Sequence, residues 1–142
     1  YMLQPGGEFQ KLASATALVE KVRACKNGEG DWNGRTIFDA ARAGDHDCIE
    51  AIDELCEALG LGIANICYVL NPEVVVLGGG IMAETDYLND RIDRAMKAHM
   101  VPILAQNTRL AFAQNRNHAG MLGAYIHFIR TQSQSVPNGQ RL

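Results

Sequence analysis

The stretch Val74-Val75-Val76-Leu77-Gly78-Gly79-Gly80-Ile81 constrains this chain more than any other. Four consecutive apolar residues, mostly β-branched, read as a fully buried strand of the kind found in a parallel sheet covered on both faces. Three glycines follow, with no side chain to hold backbone, ligand or neighbouring element at a distance. Open α/β sheets bind ligands beyond the carboxyl ends of their strands, so this turn is a candidate site for a nucleotide or small molecule. It is neither the G-x-G-x-x-G dinucleotide fingerprint nor a P-loop, because no Gly-Lys-Ser/Thr follows. A tight turn after a buried strand would explain the same glycines.

The helix that precedes this strand is the longest element expected. Asp45 or Asp47 caps its start, and Glu50 lies in its early turns, where the helix dipole favours an acid. Ile52, Leu55, Cys56, Leu59, Ile63, Ile66, Cys67 and Leu70 follow one helical face. Glu50, Asp53, Glu54 and Glu57 form the opposite, acidic one. Gly60 and Gly62 each cost about 1 kcal/mol against alanine inside a helix. That cost is tolerated where another backbone packs very close. Asn71-Pro72 ends the helix, because a residue before proline resists helical geometry.

Around this pair the other elements fall in order. Tyr1-Met2-Leu3 reads as the end of a strand, with an immediate turn at Gln4-Pro5-Gly6-Gly7. Phe9 to about Ala24 traces one helical face, Lys26 to Gly34 is a Gly/Asn-rich loop, and a short helix covers Thr36 to Ala43, stopped by Gly44. Asp86 to His99 is an amphipathic helix broken by Pro102. Thr108 to Ala113 alternates as a second strand. Asn115 to His118 form a turn leading to a helix from Ala119 to Arg130, with Leu122, Tyr125, Ile126 and Ile129 facing inward. Residues 131–142 form a polar, frayed tail. Two or three strands are too few for a stable layered α/β domain. The expectation is the C-terminal part of a longer protein, or a chain that depends on a partner.

Chemistry-bearing residues are sparse. The chain of 142 residues carries a formal net charge of −3 and no basic block, which offers no support for a nucleic-acid surface. Its apolar runs fall well short of the roughly 18 residues of a membrane span. Cys25, Cys48, Cys56 and Cys67 contain no C-x-x-C pair, and Cys56 and Cys67 fall on apolar helical positions. They read as core residues of a reduced, cytoplasmic protein, and no metal site is expected. His46, His99, His118 and His127 are scattered, and Asp86, Asp90 and Asp93 read as helix-surface acids. No spacing pairs a nucleophile with a base, so no catalytic residue is assigned.

Several runs together carry a family resemblance: Leu12-Ala13-Ser14-Ala15-Thr16-Ala17-Leu18, Leu59-Gly60-Leu61-Gly62-Ile63-Ala64-Asn65, Leu70-Asn71-Pro72-Glu73 leading into the glycine turn, and Ala119-Gly120-Met121-Leu122-Gly123-Ala124. In that order they resemble the C-terminal part of the ROK family of bacterial repressors, open reading frames and sugar kinases. The resemblance implies a partial lobe of the actin-like (ribonuclease-H-like) ATPase fold. That fold is α/β, with a mostly buried sheet flanked by helices, and residues 1–130 would belong to the larger lobe. It implies phosphoryl transfer from Mg-ATP to a hexose hydroxyl, with Gly78, Gly79, Gly80 and Ile81 beside the adenosine of ATP. The phosphate-binding segment, most of the Mg-ATP site and the catalytic aspartate would lie upstream, so the chain alone is expected to be inactive. The family's cysteine-rich zinc loop has no counterpart: Gly7-Glu8-Phe9-Gln10 lacks cysteine, and Tyr1 stands where a histidine is common. Zinc is therefore not expected, and Gln10 would replace a sugar-contacting glutamate with a neutral amide. A homodimer is implied as well. The alternatives are a sugar-responsive repressor of the same family, which would bind nucleic acid through an upstream motif, and an inactive module pairing through its sheet edge.

Overall fold

The computed structural model describes residues 8–113 and 119–134. The Tyr1–Leu3 strand end, the turn at Gln4–Gly7, the turn at Asn115–His118 and most of the polar tail lie outside those residues. The elements run α1 (Phe9–Leu12), α2 (Ala15–Cys25), α3 (Gly34–Arg42), α4 (His46–Leu70), β1 (Val74–Leu77), a 3₁₀ turn (Ile81–Ala83), α5 (Thr85–Ala98), α6 (Pro102–Asn107), β2 (Arg109–Phe112) and α7 (Ala119–Gln134).

Capping chemistry sets the helix boundaries. The expected single helix from Phe9 to Ala24 is two, because Ser14 adopts an extended conformation and its hydroxyl accepts the Ala17 amide at 3.1 Å, opening a new helix at Ala15. At α3, Asn33 and Thr36 form a reciprocal capping box, which starts the helix at Gly34 rather than Thr36. Asp45 caps α4 by accepting the Cys48 amide at 3.1 Å, and Asn71 closes it in the left-handed conformation at φ 45°. α5 ends at Ala98, short of Pro102, and Pro102 occupies the first turn of the next helix, so α6 is an element the proline had hidden.

The core lies between α2, α3, α4 and α5. Val22, Ile37, Phe38, Cys48, Ile52, Leu55, Cys56, Cys67, Leu88, Ile92 and Met96 are its most deeply buried members. Gly60 marks the tightest crossing: a Cβ there would stand 2.6 Å from the Ala95 carbonyl carbon and the Met96 nitrogen. α4 and α5 thus meet backbone to backbone, as the glycine predicts. Gly62 faces the Phe9 ring of α1 instead.

β1 and β2 pair in parallel, with Val74 opposite Arg109 and Leu77 opposite Phe112. The Thr108 hydroxyl donates to the Pro72 carbonyl at 2.7 Å and fixes the start of the pair. Val75, Leu77, Leu110 and Phe112 pack against the helical core. Val76 points the other way and is 60% exposed. The strand expected to be buried on both faces is therefore covered on one, because among the described residues helices pack only on the side of Val75 and Leu77. The inward face expected for α7 is likewise open: Leu122, Tyr125, Ile126 and Ile129 are all exposed.

Candidate functional site: the glycine turn and its anchor

β1 delivers the chain into the turn, and the Ala113 amide donates to the Leu77 carbonyl at 2.8 Å to hold the strand's last residue. Gly78, Gly79 and Gly80 are exposed, and Ile81 is half-buried against the core. Gly79 has φ +113°, a backbone conformation that side-chain-bearing residues rarely adopt. A Cβ at Gly79 would meet nothing within 4 Å, so conformation rather than crowding requires glycine. At Gly78 a Cβ would touch the Ala113 methyl at an ordinary 3.7 Å. The turn then closes as a 3₁₀ segment. Met82, Ala83 and Glu84 donate their amides to Gly79, Gly80 and Ile81, each at 3.2 Å. Among the described residues neither the Gly79 nor the Gly80 amide finds an acceptor. The result is an open backbone ledge with free donors at the carboxyl end of a strand, suited to a flat, hydrogen-bonding ligand.

An ionic and aromatic cluster anchors the far end of this ledge. Arg42, at the end of α3, donates through Nη2 to Glu84 Oε2 at 2.7 Å and to Asp86 Oδ2 at 3.1 Å. Its guanidinium also lies 5.5 Å from the centroid of the Tyr87 ring, and the Arg91 guanidinium lies 4.0 Å from the same ring. Phe38 meets Tyr87 edge to face at 5.6 Å. The hydrogen bond that Arg42 donates to Glu84, reinforced by the one to Asp86, holds the Arg42 pKa above its ordinary value against the opposing effect of burial. Spacing along the chain could not reveal this cluster, since Arg42 and Glu84 stand 42 positions apart.

The other sequence candidates fall elsewhere. Gln10 lies exposed on α1, which packs on α2 and α4, and the structure does not bring it to the glycine turn. Beside α1 runs an apolar groove of about 680 Å³, lined by residues that include Phe9, Leu12, Lys21, Leu61 and Ile66. Asp86 is bound to Arg42, and Asp93 pairs with Lys97 at 2.7 Å. His99 meets Glu57 at 2.5 Å, and His46 sits 3.8 Å from Glu50 on the exposed start of α4. His127 lies on α7, and His118 falls outside the described residues. Cys56 and Cys67 are buried core residues, as expected, joined by Cys48, whereas Cys25 is exposed. Among the described residues no three His, Cys, Asp or Glu side chains are grouped to hold a metal ion.

The model described as "ROK family" matches residues 7–131. An uncharacterised protein of Clostridium perfringens is 43% identical over 129 residues, covering 90% of this chain and 44% of its own length. A glucokinase of Halalkalibacterium halodurans is 31% identical over 145 residues, covering 94% of this chain and 44% of its own. Among solved structures, a ROK family glucokinase from Streptomyces griseus, crystallised with glucose and AMPPNP, superposes with a TM-score of 0.75 at 25% identity. That match covers 84% of this chain and 44% of the other. The chain thus spans less than half the length of the curated relatives it matches.

Proposed function

The chain belongs to the ROK family, and from that premise we propose that it is the C-terminal portion of an ATP-dependent hexose kinase, in which Gly78, Gly79, Gly80 and Ile81 hold the adenosine end of ATP. The observation that carries the reading is the ledge itself. Three exposed glycines, one at φ +113°, follow a parallel strand, and among the described residues the Gly79 and Gly80 amides are unpaired where α/β sheets receive nucleotides. A glucokinase among the relatives, and a glucokinase structure bearing an ATP analogue among the fold neighbours, favour a kinase over a repressor.

In this reading the chain supplies shape and positioning, and phosphoryl transfer from Mg-ATP takes place on residues upstream of it. Positioning and charge neutralisation supply most of the catalysis in such transfers. The exposed backbone lets the adenosine approach closely, and the absence of side chains from Gly78 to Gly80 leaves room for it. Gln10 would reach a sugar hydroxyl only from the α1 side of the assembled lobe. Localisation in the cytoplasm and a homodimer belong to the same proposal. Among the described residues no helix is long and apolar enough to cross a membrane.

Amide spectra test the proposal directly. Titrating Mg-AMPPNP into the 142-residue chain should shift the resonances of Gly78, Gly79, Gly80 and Ile81 and leave those of α2 unmoved. A coupled ATP-consumption assay with glucose should show no turnover. Resonances at the turn that stay fixed at millimolar nucleotide would overturn the adenosine role. Glucose-dependent turnover would overturn the placement of the catalytic machinery upstream.

A further inference from the structure

We propose that Arg42 is the positioning residue of the nucleotide ledge, holding Gly78–Ile81 in register with the helical core through Glu84. The inference deepens the adenosine reading of the turn and, for its functional consequence, rests on it.

A run of three glycines has more conformational freedom to lose than any other tripeptide, so its shape must be imposed from its ends. The leading end is imposed by the parallel ladder, which stops at the Ala113 to Leu77 hydrogen bond. The trailing end meets α5 at Glu84. The Glu84 amide closes the 3₁₀ turn onto Ile81 at 3.2 Å, and its carbonyl accepts the Tyr87 and Leu88 amides in the first turn of α5, both at 3.0 Å. One residue therefore joins the ledge to the helix behind it. Glu84 has no capping bond from its own side chain. Its carboxylate goes instead to Arg42 at 2.7 Å.

Arg42 is itself held in place. Asp86 takes the same Nη2, and the Tyr87 ring lies beside the guanidinium. Tyr87 in turn is set by Phe38, which sits on α3 with Arg42 and is 1% exposed. The path from ledge to core thus runs Gly80, Ile81, Glu84, Arg42 and α3, with Tyr87 bracing the last step. An isolated surface ion pair would define little, but here the carboxylates of Asp39, Glu84 and Asp86 and an aromatic face converge on one planar group. With Asp39 3.8 Å from Nη1, three carboxylates surround this one cation and more than offset its charge. Arg42 is consequently no attractor for the phosphates of a nucleotide, and its role is geometric.

The test uses Arg42→Gln, Arg42→Lys, Glu84→Gln and the double variant Arg42→Gln/Glu84→Gln in the full chain. Three readouts are taken: amide shifts of residues 78–84 without ligand, affinity for Mg-AMPPNP, and the urea midpoint. Arg42→Gln should shift the ledge amides and weaken AMPPNP by roughly 3- to 5-fold, in keeping with a partly exposed ion pair. Glu84→Gln should do the same, and the double variant should be no worse than either single one, because both break one link. Arg42→Lys, which keeps the charge and loses the fork, should fall between parent and glutamine. Additive losses in the double variant, or a lowered urea midpoint with unmoved ledge amides, would make Arg42 an ordinary stabilising residue and overturn the proposal. If the parent chain leaves AMPPNP unbound at the turn, the adenosine reading fails, while the ligand-free shifts and their non-additivity still decide whether Arg42 shapes the ledge. If AMPPNP binds and the ligand-free shifts do not respond to Arg42, the positioning role fails and the adenosine reading stands.

Discussion

Gly60 and Gly62 sit on one helix two positions apart and do different physical work. Gly60 faces backbone, with the Ala95 carbonyl carbon and the Met96 nitrogen both 2.6 Å from where a Cβ would stand. Neither can rotate away, so Gly60→Ala must push α4 and α5 apart. Overpacking of that kind costs roughly 1–3 kcal/mol, more than the gain of about 1 kcal/mol in helix propensity. Gly62 faces the ring of Phe9, which is 40% exposed and free to swing outward. Gly62→Ala should therefore leave stability unchanged or raise it slightly. Urea denaturation of the two variants separates them: the Gly60→Ala midpoint falls and the Gly62→Ala midpoint does not. Equal losses would mean that Phe9 is fixed as firmly as the α5 backbone. Both glycines announce a close approach in the sequence, but only the structure distinguishes a rigid neighbour from a mobile one.

Among the elements, α4 organises the core, and its buried thiols make its stability sensitive to alkali. Burial, which disfavours the thiolate, pushes the Cys56 thiol up to about 12, and burial together with Asp45 pushes Cys48 up to about 11. In the unfolded chain both titrate at about 9. The folded values are raised, so the stabilisation is complete below about pH 9 and is lost as pH rises toward the folded values. The urea midpoint should be lower at pH 10 than at pH 7.5, and Cys56→Ala should flatten that dependence. At neutral pH a thiol reagent should modify Cys25 quickly and the three buried cysteines only on unfolding. Rapid loss of more than one thiol would contradict the packing of α4. The apolar positions of Cys56 and Cys67 are readable from helical spacing, as are a cap at Asp45 or Asp47 and the Asn71-Pro72 stop, because each depends on neighbours within a turn or two; Cys48 and the choice of Asp45 came only with the structure. The exposure of Val76 is not readable in that way. A run of valines expresses a preference for burial, and whether helices cover both faces depends on which other elements pack there. The Arg42–Glu84 link escapes for a related reason, since its partners lie 42 positions apart and share no local spacing. The glycine ledge was legible because its cause is local: a strand, then residues without side chains.

Among the described residues, buried side chains concentrate on one side of the sheet, and α7 contributes none of them. Every described side chain of α7 is exposed, including Met121, Tyr125 and Phe128, whereas α2, α3, α4 and α5 all supply residues to one contiguous core. Cooperative stability scales with the apolar area removed from water, and the slope of denaturant unfolding scales with the surface newly exposed. A helix that buries almost nothing should therefore matter little to either quantity. Truncation after Ala113 should leave the urea midpoint and slope within error of the parent and lower helical ellipticity by no more than the share of one 16-residue helix. Because α7 displays a row of apolar side chains to solvent, the truncated chain should also scatter less light at high concentration. A midpoint that drops sharply on truncation would show that α7 docks on the core in solution. In that case Leu122, Ile126 and Ile129, which share the face expected to point inward, are the positions where single alanine substitutions would reproduce the loss.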